Sequence, residues 1–237
     1  MLLKNRIWYN LFLAFSVVCY SVGLYAWSGF STESLHGNFL KANGQGFLIA
    51  MAYFAIKDRT FVTASWLHRI HYLAPLALYL EAYQAALPFL WFWSLLFVQL
   101  ILVVSYEWGI AWRKIPVLKN LLIAVMWFVQ LNLIPALDGA SNLLYFPFFL
   151  FYLALSIQGD IEDIAADAGQ IKTLASLLGK ENASYLVIFL LTLFSFLMGL
   201  PWAWIMVVLI VIQREFKVPK GGYDSLLFLL GLYFLLR

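Results

Sequence analysis

The chain has 237 residues, of which 64% are hydrophobic and only 11% are charged, and it carries a net charge of +3. Soluble domains contain roughly 25% charged residues, so this composition excludes an ordinary soluble domain and indicates a protein that crosses a membrane several times. A charge of +3 gives no indication of nucleic acid as a partner, because basic cytoplasmic loops are ordinary in membrane proteins.

The first predicted element is a transmembrane helix at about 7–28, where two early bases precede about twenty apolar residues. This run is longer than the apolar core of a cleavable signal peptide, and no small-residue cleavage site follows it, so we interpret it as a retained span. Further hydrophobic runs predict helices at about 45–57, 70–86, 88–106, 119–137, 141–158, 183–200, 201–214 and 224–237. We therefore expect an all-α polytopic membrane protein with about nine transmembrane helices, forming a single domain over residues 1–237.

The positions of the basic residues predict how the protein is oriented in the membrane. With nine spans, all but two of the 15 Lys and Arg residues fall on one side, leaving Lys41 and Arg237 on the other. Because cytoplasmic loops carry an excess of Lys and Arg, we expect a multi-pass protein of the cytoplasmic or inner membrane. The N-terminus is then cytoplasmic, and the C-terminus lies on the opposite side.

Acidic residues concentrate in residues 158–173, QGDIEDIAADAGQIKT, which hold four of the 12 acids of the chain. Asp160, Asp163 and Asp167 have the spacing i, i+3, i+7, which places them within an arc of about 60° on a helix, while Glu162 points away from them. Three aligned carboxylates repel one another, and Mg²⁺ is a hard ion that bridges carboxylates to phosphate oxygens. The pattern predicts a magnesium site for a diphosphate headgroup at the membrane boundary; the alternative is a solvated acidic loop.

The segment DIEDIAADAGQIKTLASLLGK resembles the second Asp-rich motif of the UbiA superfamily of intramembrane prenyltransferases. The three aspartates match the acids of that motif, and the Thr-Leu and Leu-Gly pairs that follow also match, with one residue fewer between Asp167 and Thr173. The family carries this motif after helix six of nine, which is its predicted position here. The resemblance implies a helical bundle around a central cavity, with Asp160, Asp163 and Asp167 binding Mg²⁺ and acting in catalysis.

A second match lies in SYEWGIAWRKIPVLKNLLIA, which resembles the family's cytoplasmic loop between helices four and five. Bases in such a loop can neutralise the charge that develops on a diphosphate leaving group. The alternative is an ordinary basic cytoplasmic loop. The resemblance and the charges together predict a set of diphosphate-binding residues, namely Tyr106, Arg113, Lys114, Lys119, Asn120, Lys172 and Arg59.

The first Asp-rich motif of the family, approximately N-D-x-x-D-x-x-x-D, corresponds here to MAYFAIKDRTFVTASW. When the motif is aligned on Asp58, its other positions are Phe54, Ala55 and Val62, so one acid of three is present. Asp58 is a further candidate metal ligand. A neighbouring base can neutralise phosphate charge, but it does not reproduce the geometry of a metal ion. This departure concerns catalysis more than the fold.

Two functions are compatible with these patterns. The first is a Mg²⁺-assisted prenyltransferase that transfers a prenyl group from a polyprenyl diphosphate to an aromatic or lipid acceptor, or that cyclises the prenyl chain. Its partners would be the prenyl diphosphate, a lipophilic acceptor and membrane lipids. The alternative is a non-catalytic UbiA-like protein that binds an isoprenoid, a quinone or a partner membrane protein. Among the intramembrane polar residues, Gln130 and Asn132 are expected to form hydrogen bonds between helices.

Overall fold

The structure, a computed structural model, describes residues 115–133, 136, 145–167, 172–199 and 224–236, together with residues 16, 19, 20, 22–24, 26 and 27. Its helices are α1 (Pro116–Phe128), continued by a π-helical turn (Val129–Leu133), α2 (Pro147–Asp167), α3 (Leu174–Leu178), α4 (Lys180–Met198) and α5 (Asp224–Leu236). The described residues between 16 and 27 are also helical. No strand occurs in these ranges, which confirms the all-α prediction for the described part of the chain. The helices predicted at 45–57, 70–86, 88–106 and 201–214 lie outside it.

Two of the described helical segments are long and apolar enough to cross a membrane, namely Pro116–Leu133 with 18 residues and Lys180–Met198 with 19. They correspond to the spans predicted at 119–137 and 183–200. The first of them begins at Pro116. Proline suits the first helical position because the N–H at that position has no partner within the helix and the φ of proline is already helical.

The longest described helix is α2, and it differs from its predicted bounds of 141–158. It begins at Pro147 and continues for 21 residues through the acidic segment to Asp167. Ala165 and Ala166 favour the helix, and Gly159 does not end it, because a single glycine in a helix costs only about 1 kcal/mol. Asp160, Asp163 and Asp167 therefore lie on one helix, which is the condition under which their spacing places them within a narrow arc.

The described part of the connection from α2 to α4, residues 172–179, contains local hydrogen bonds and a glycine with a positive φ. Thr173 caps α3: its hydroxyl accepts from the N–H of Ser176 at 3.1 Å, and the Ser176 hydroxyl accepts from the N–H of Thr173 at 2.9 Å. Between α3 and α4, Gly179 has a φ of 78°, a conformation that side chains with a Cβ rarely adopt. These features turn the chain directly after the acidic segment.

The described residues belong to two compact units, and the one that contains α1 to α4 spans Leu95–Asn132 and Tyr145–Tyr223. In this unit α2 packs against both α1 and α4. Phe148 and Phe151 of α2 are fully buried against Phe194 of α4, with the rings of Phe151 and Phe194 stacked at 5.1 Å. The prediction of one domain over residues 1–237 stays a prediction.

The other unit contains the N-terminal helical residues and α5. A Cβ added at Gly231 would lie 2.5 Å from backbone atoms of Cys19 and Tyr20, and a Cβ at Gly23 would collide with the Gly231 carbonyl. Such close backbone approach through small residues is typical of helix packing in membranes. The Phe234 ring lies against both Tyr20 and Trp27. Gly231 contacts residues 19–23, whereas Phe234, one turn later on α5, reaches as far as Trp27. This order of contacts indicates that the two helices run in the same direction.

Candidate functional site: a buried polar cluster between α1 and α2

An ion pair joins the first turn of α1 to the C-terminal part of α2. The ammonium Nζ of Lys119 lies 2.5 Å from Oδ1 of Asp160, and the two side chains are only 13% and 6% exposed. The two residues are 41 positions apart in the sequence. One comes from the segment that resembles the family's loop between helices four and five, and the other from the acidic motif. The structure therefore brings together two segments that the sequence analysis singled out separately.

Asn120, the residue after Lys119, is completely buried and holds the same carboxylate. Its amide Nδ2 donates to Oδ2 of Asp160 at 3.0 Å and to Oγ of Ser156 at 3.0 Å. The orientation of this amide follows from its surroundings, because the reverse orientation would set an amide oxygen against a carboxylate oxygen. A hydrogen bond from this amide to a diphosphate would therefore require Nδ2 to leave one of its two partners.

The amide oxygen Oδ1 of Asn120 is buried and has no hydrogen-bond partner. Buried polar atoms almost always have a partner, and leaving one unsatisfied costs about 1–3 kcal/mol. Such an atom beside a carboxylate is available to a hydrogen-bond donor or to a cation.

Ser156 is part of this cluster, although the sequence analysis did not single it out. It precedes Asp160 by one helical turn, so the two side chains lie on the same face of α2. A polar residue at position i−4 from an acid, within an otherwise apolar run, is the signal that could have identified it.

The burial of Asp160 determines the electrostatics of the cluster. Asp160 as a whole residue is 4% exposed, and its side chain is 6% exposed, so its carboxylate is almost completely removed from water. Such a group requires a charge partner, and removing one side of a buried ion pair typically costs about 3–5 kcal/mol. Lys119 is such a partner here, and Asn120 supplies a further contact. Asp160 is thus held by α1 rather than solvated.

The other predicted site residues have varied positions. Asp163 lies three residues after Asp160 on α2 and is partly buried, whereas Asp167 is the last residue of that helix. The side chain of Lys172 is exposed in the connection to α3. Outside the described residues lie Asp58, Arg59, Tyr106, Arg113 and Lys114.

The donor atoms of the cluster suit a hard divalent cation once Lys119 moves. The carboxylate of Asp160 and the unpartnered Oδ1 of Asn120 are the kinds of oxygen that Mg²⁺ prefers, and the ammonium of Lys119 contacts Oδ1 of that carboxylate. In the part of the chain that the structure describes, three or more His, Cys, Asp or Glu side chains do not come together as a metal-binding group. The side chain of Asp167 lies outside that part.

A second buried polar contact joins the two helices further along. The hydroxyl of Tyr152 on α2 donates to Oδ1 of Asn132 in the π-helical turn at 2.6 Å, and both residues are buried. The expectation that Asn132 forms a hydrogen bond between helices is confirmed. Together with the contacts of Asn120, it shows that α1 and α2 run in opposite directions.

No protein-family model, curated protein or solved structure matches this chain. The resemblance to the UbiA superfamily therefore depends on the motif residues themselves.

Proposed function

We propose that the protein is an integral membrane prenyltransferase of the UbiA type. It would transfer a prenyl group from a polyprenyl diphosphate to an aromatic or lipid acceptor, or cyclise the chain. The observation that carries this proposal is the contact of Lys119 and Asn120 with Asp160. In a solvated acidic loop, Asp160 would have no reason to be 4% exposed and bound by a lysine from another helix. The contact thus favours a site shared by the two segments over a solvated acidic loop.

The proposed architecture is a bundle of nine transmembrane helices over residues 1–237, with its polar cavity opening to the cytoplasm. The N-terminus would be cytoplasmic and the C-terminus on the opposite side. The parallel packing of the N-terminal helix and α5 supports this arrangement. If both helices span the membrane in the same direction, the number of spans from the N-terminal helix to α5, both included, is odd.

In this proposal each residue of the cluster has a separate task. Asp160, Asp163 and Asp167 would hold Mg²⁺, which when bound would neutralise the charge of the diphosphate. Lys119 would donate from its ammonium to a diphosphate oxygen, which gains charge as the carbon–oxygen bond breaks. Asn120 and Ser156 would keep the carboxylate of Asp160 oriented towards the ligand.

A non-catalytic protein that binds an isoprenoid, a quinone or a partner membrane protein is the second candidate. Two observations favour it. Both carboxylate oxygens of Asp160 have partners within the protein. In addition, Phe54, Ala55 and Val62 occupy positions where the family's first motif carries polar ligands. A site of this kind could bind a headgroup without the metal arrangement that ionisation needs.

Thermal unfolding and diphosphate release, both measured on the purified chain in detergent, distinguish the two candidate functions. For the enzyme we expect Mg²⁺ with farnesyl diphosphate to raise the unfolding temperature by mass action. With an aromatic acceptor added to take the prenyl group, or with water taking its place, we also expect inorganic diphosphate to be released. Asp163→Ala should lose both effects. Glu181→Gln, at an exposed acid in the first turn of α4, is the matched control. Stabilisation without release would favour the non-catalytic protein, and the absence of stabilisation would contradict prenyl diphosphate binding.

A further inference from the structure

The ion pair of Lys119 and Asp160 occupies the carboxylate oxygen that a metal ion would need. With Nζ at 2.5 Å from Oδ1 and both groups largely buried, a divalent cation cannot approach this oxygen without meeting a like charge. A cation that arrives alone must therefore displace Lys119, whose ammonium then needs another anion.

An independent observation indicates that the cluster accepts a ligand. Oδ1 of Asn120 is buried without a partner, while Nδ2 of the same amide contacts Asp160. Amide oxygens serve as ligands of hard cations and as acceptors for the water molecules that Mg²⁺ retains. The cluster thus contains a second oxygen, on the residue next to Lys119, that can bind a cation or one of its water molecules.

An anion that arrives alone meets the complementary problem. Drawing Lys119 away from Asp160 would leave a buried carboxylate without its ammonium, which is costly. When a cation and an anion bind together, Asp160 exchanges the ammonium for the cation and Lys119 exchanges the carboxylate for the anion. Both charges of the ion pair then keep an opposite charge beside them.

We infer that Lys119 masks Asp160 against divalent cations and releases it only when an anionic ligand binds, so that the cation and the anion bind as a coupled pair. The identity of the anion as a diphosphate rests on the proposed function, whereas the masking does not. Lys119 would then determine when the site binds metal, because it prevents a divalent cation from binding Asp160 in the absence of the anionic ligand.

The masking is tested by titrating the purified full chain with Mn²⁺ alone and following the free ion by electron paramagnetic resonance. Lys119→Met removes the ammonium and keeps an unbranched apolar stem, and we expect it to bind Mn²⁺ at least tenfold more tightly than the wild type. Lys119→Gln, which keeps a hydrogen-bond donor, should show the same gain if Lys119→Met does not fold. Lys180→Met, at an exposed lysine of α4, should behave as the wild type.

The double variant Lys119→Met/Asp160→Asn removes both charges of the ion pair and should lose the gain in affinity for Mn²⁺. The inference is overturned if neither Lys119 variant binds Mn²⁺ more tightly than the wild type. It is also overturned if the double variant keeps the increased affinity, since the added ion would then lie elsewhere.

The coupling is measured separately, as thermal stabilisation of the wild type by Mn²⁺ with and without farnesyl diphosphate. We expect stabilisation only when both are present, and by linkage the same coupling should appear for the diphosphate. In Lys119→Met the Mn²⁺ effect should no longer depend on the diphosphate. A wild type that ignores farnesyl diphosphate, while Lys119→Met gains Mn²⁺ affinity, would contradict the proposed function and support the masking.

Discussion

Tyr152 and Asn132 are joined by a hydrogen bond of 2.6 Å between α2 and the π-helical turn that follows α1. Both side chains are buried, and the ring of Tyr152 also lies 6.0 Å from that of Trp127. Hydrogen bonds between membrane helices typically contribute about 0.6 kcal/mol and up to about 1.7 kcal/mol. This contact therefore stabilises the pairing of α1 with α2 and with it the geometry of the Lys119–Asp160 cluster.

Tyr152→Phe removes only the hydroxyl and keeps the ring. We expect a loss of about 1 kcal/mol in the free energy of unfolding, measured by unfolding in detergent with added denaturant. Asn132→Leu removes the other partner. In a double-mutant cycle the two losses should be less than additive, because each removes the same hydrogen bond. Full additivity would mean that the two groups do not interact.

Gly231→Ala is expected to be strongly destabilising, because the new Cβ would lie 2.5 Å from backbone atoms of the N-terminal helix, which cannot yield as a flexible side chain can. The cost should be at least about 1–3 kcal/mol, the usual range for overpacking. Gly159→Ala in α2 is the matched control, since a Cβ there meets no atom within 4 Å. It should be neutral or stabilising by up to about 1 kcal/mol. Equal effects at the two glycines would contradict the close helix contact.

Thr173→Ala removes the N-cap of α3 and should cost about 0.5–2 kcal/mol of stability. Thr173→Ser keeps the hydroxyl that accepts from the N–H of Ser176, so it should restore most of the loss. Thermal unfolding of the three proteins provides the comparison. If Thr173→Ser were as unstable as Thr173→Ala, the methyl group of Thr173 rather than its capping hydroxyl would account for the stabilisation.

Asp163→Ala should abolish the stabilisation by Mg²⁺ with a prenyl diphosphate, because the middle acid of the motif can share ions with both neighbours. Asp58→Ala should cost far less, since a lone carboxylate beside Lys57 and Arg59 is better explained as their ion-pair partner. We count a tenfold loss of affinity, about 1.4 kcal/mol, as an effect in a thermal-shift titration. Equal losses in the two variants would indicate a metal site that uses both motifs.

Much of the local structure could be predicted from the sequence, because it depends on residues near one another in the chain. Apolar runs of the right length predicted the helices that became α1, α2, α4 and α5, and the spacing of Asp160, Asp163 and Asp167 is one that a helix aligns within a narrow arc. The end of α2 was placed too early, at 158 instead of Asp167. Hydrophobicity decreases where the acids begin, but the backbone hydrogen bonds of a helix do not depend on it.

The composition of the polar cluster was decided by tertiary structure. The sequence singled out Lys119, Asn120 and Asp160, but not their mutual contacts or the participation of Ser156. The close approach of Gly23 and Gly231, more than two hundred positions apart, likewise has no local signal. Such contacts arise from how helices pack, and the same helical sequences allow many packings. A buried carboxylate reduces the number of possible helix packings, because a packing that leaves Asp160 without a cation is too costly to form.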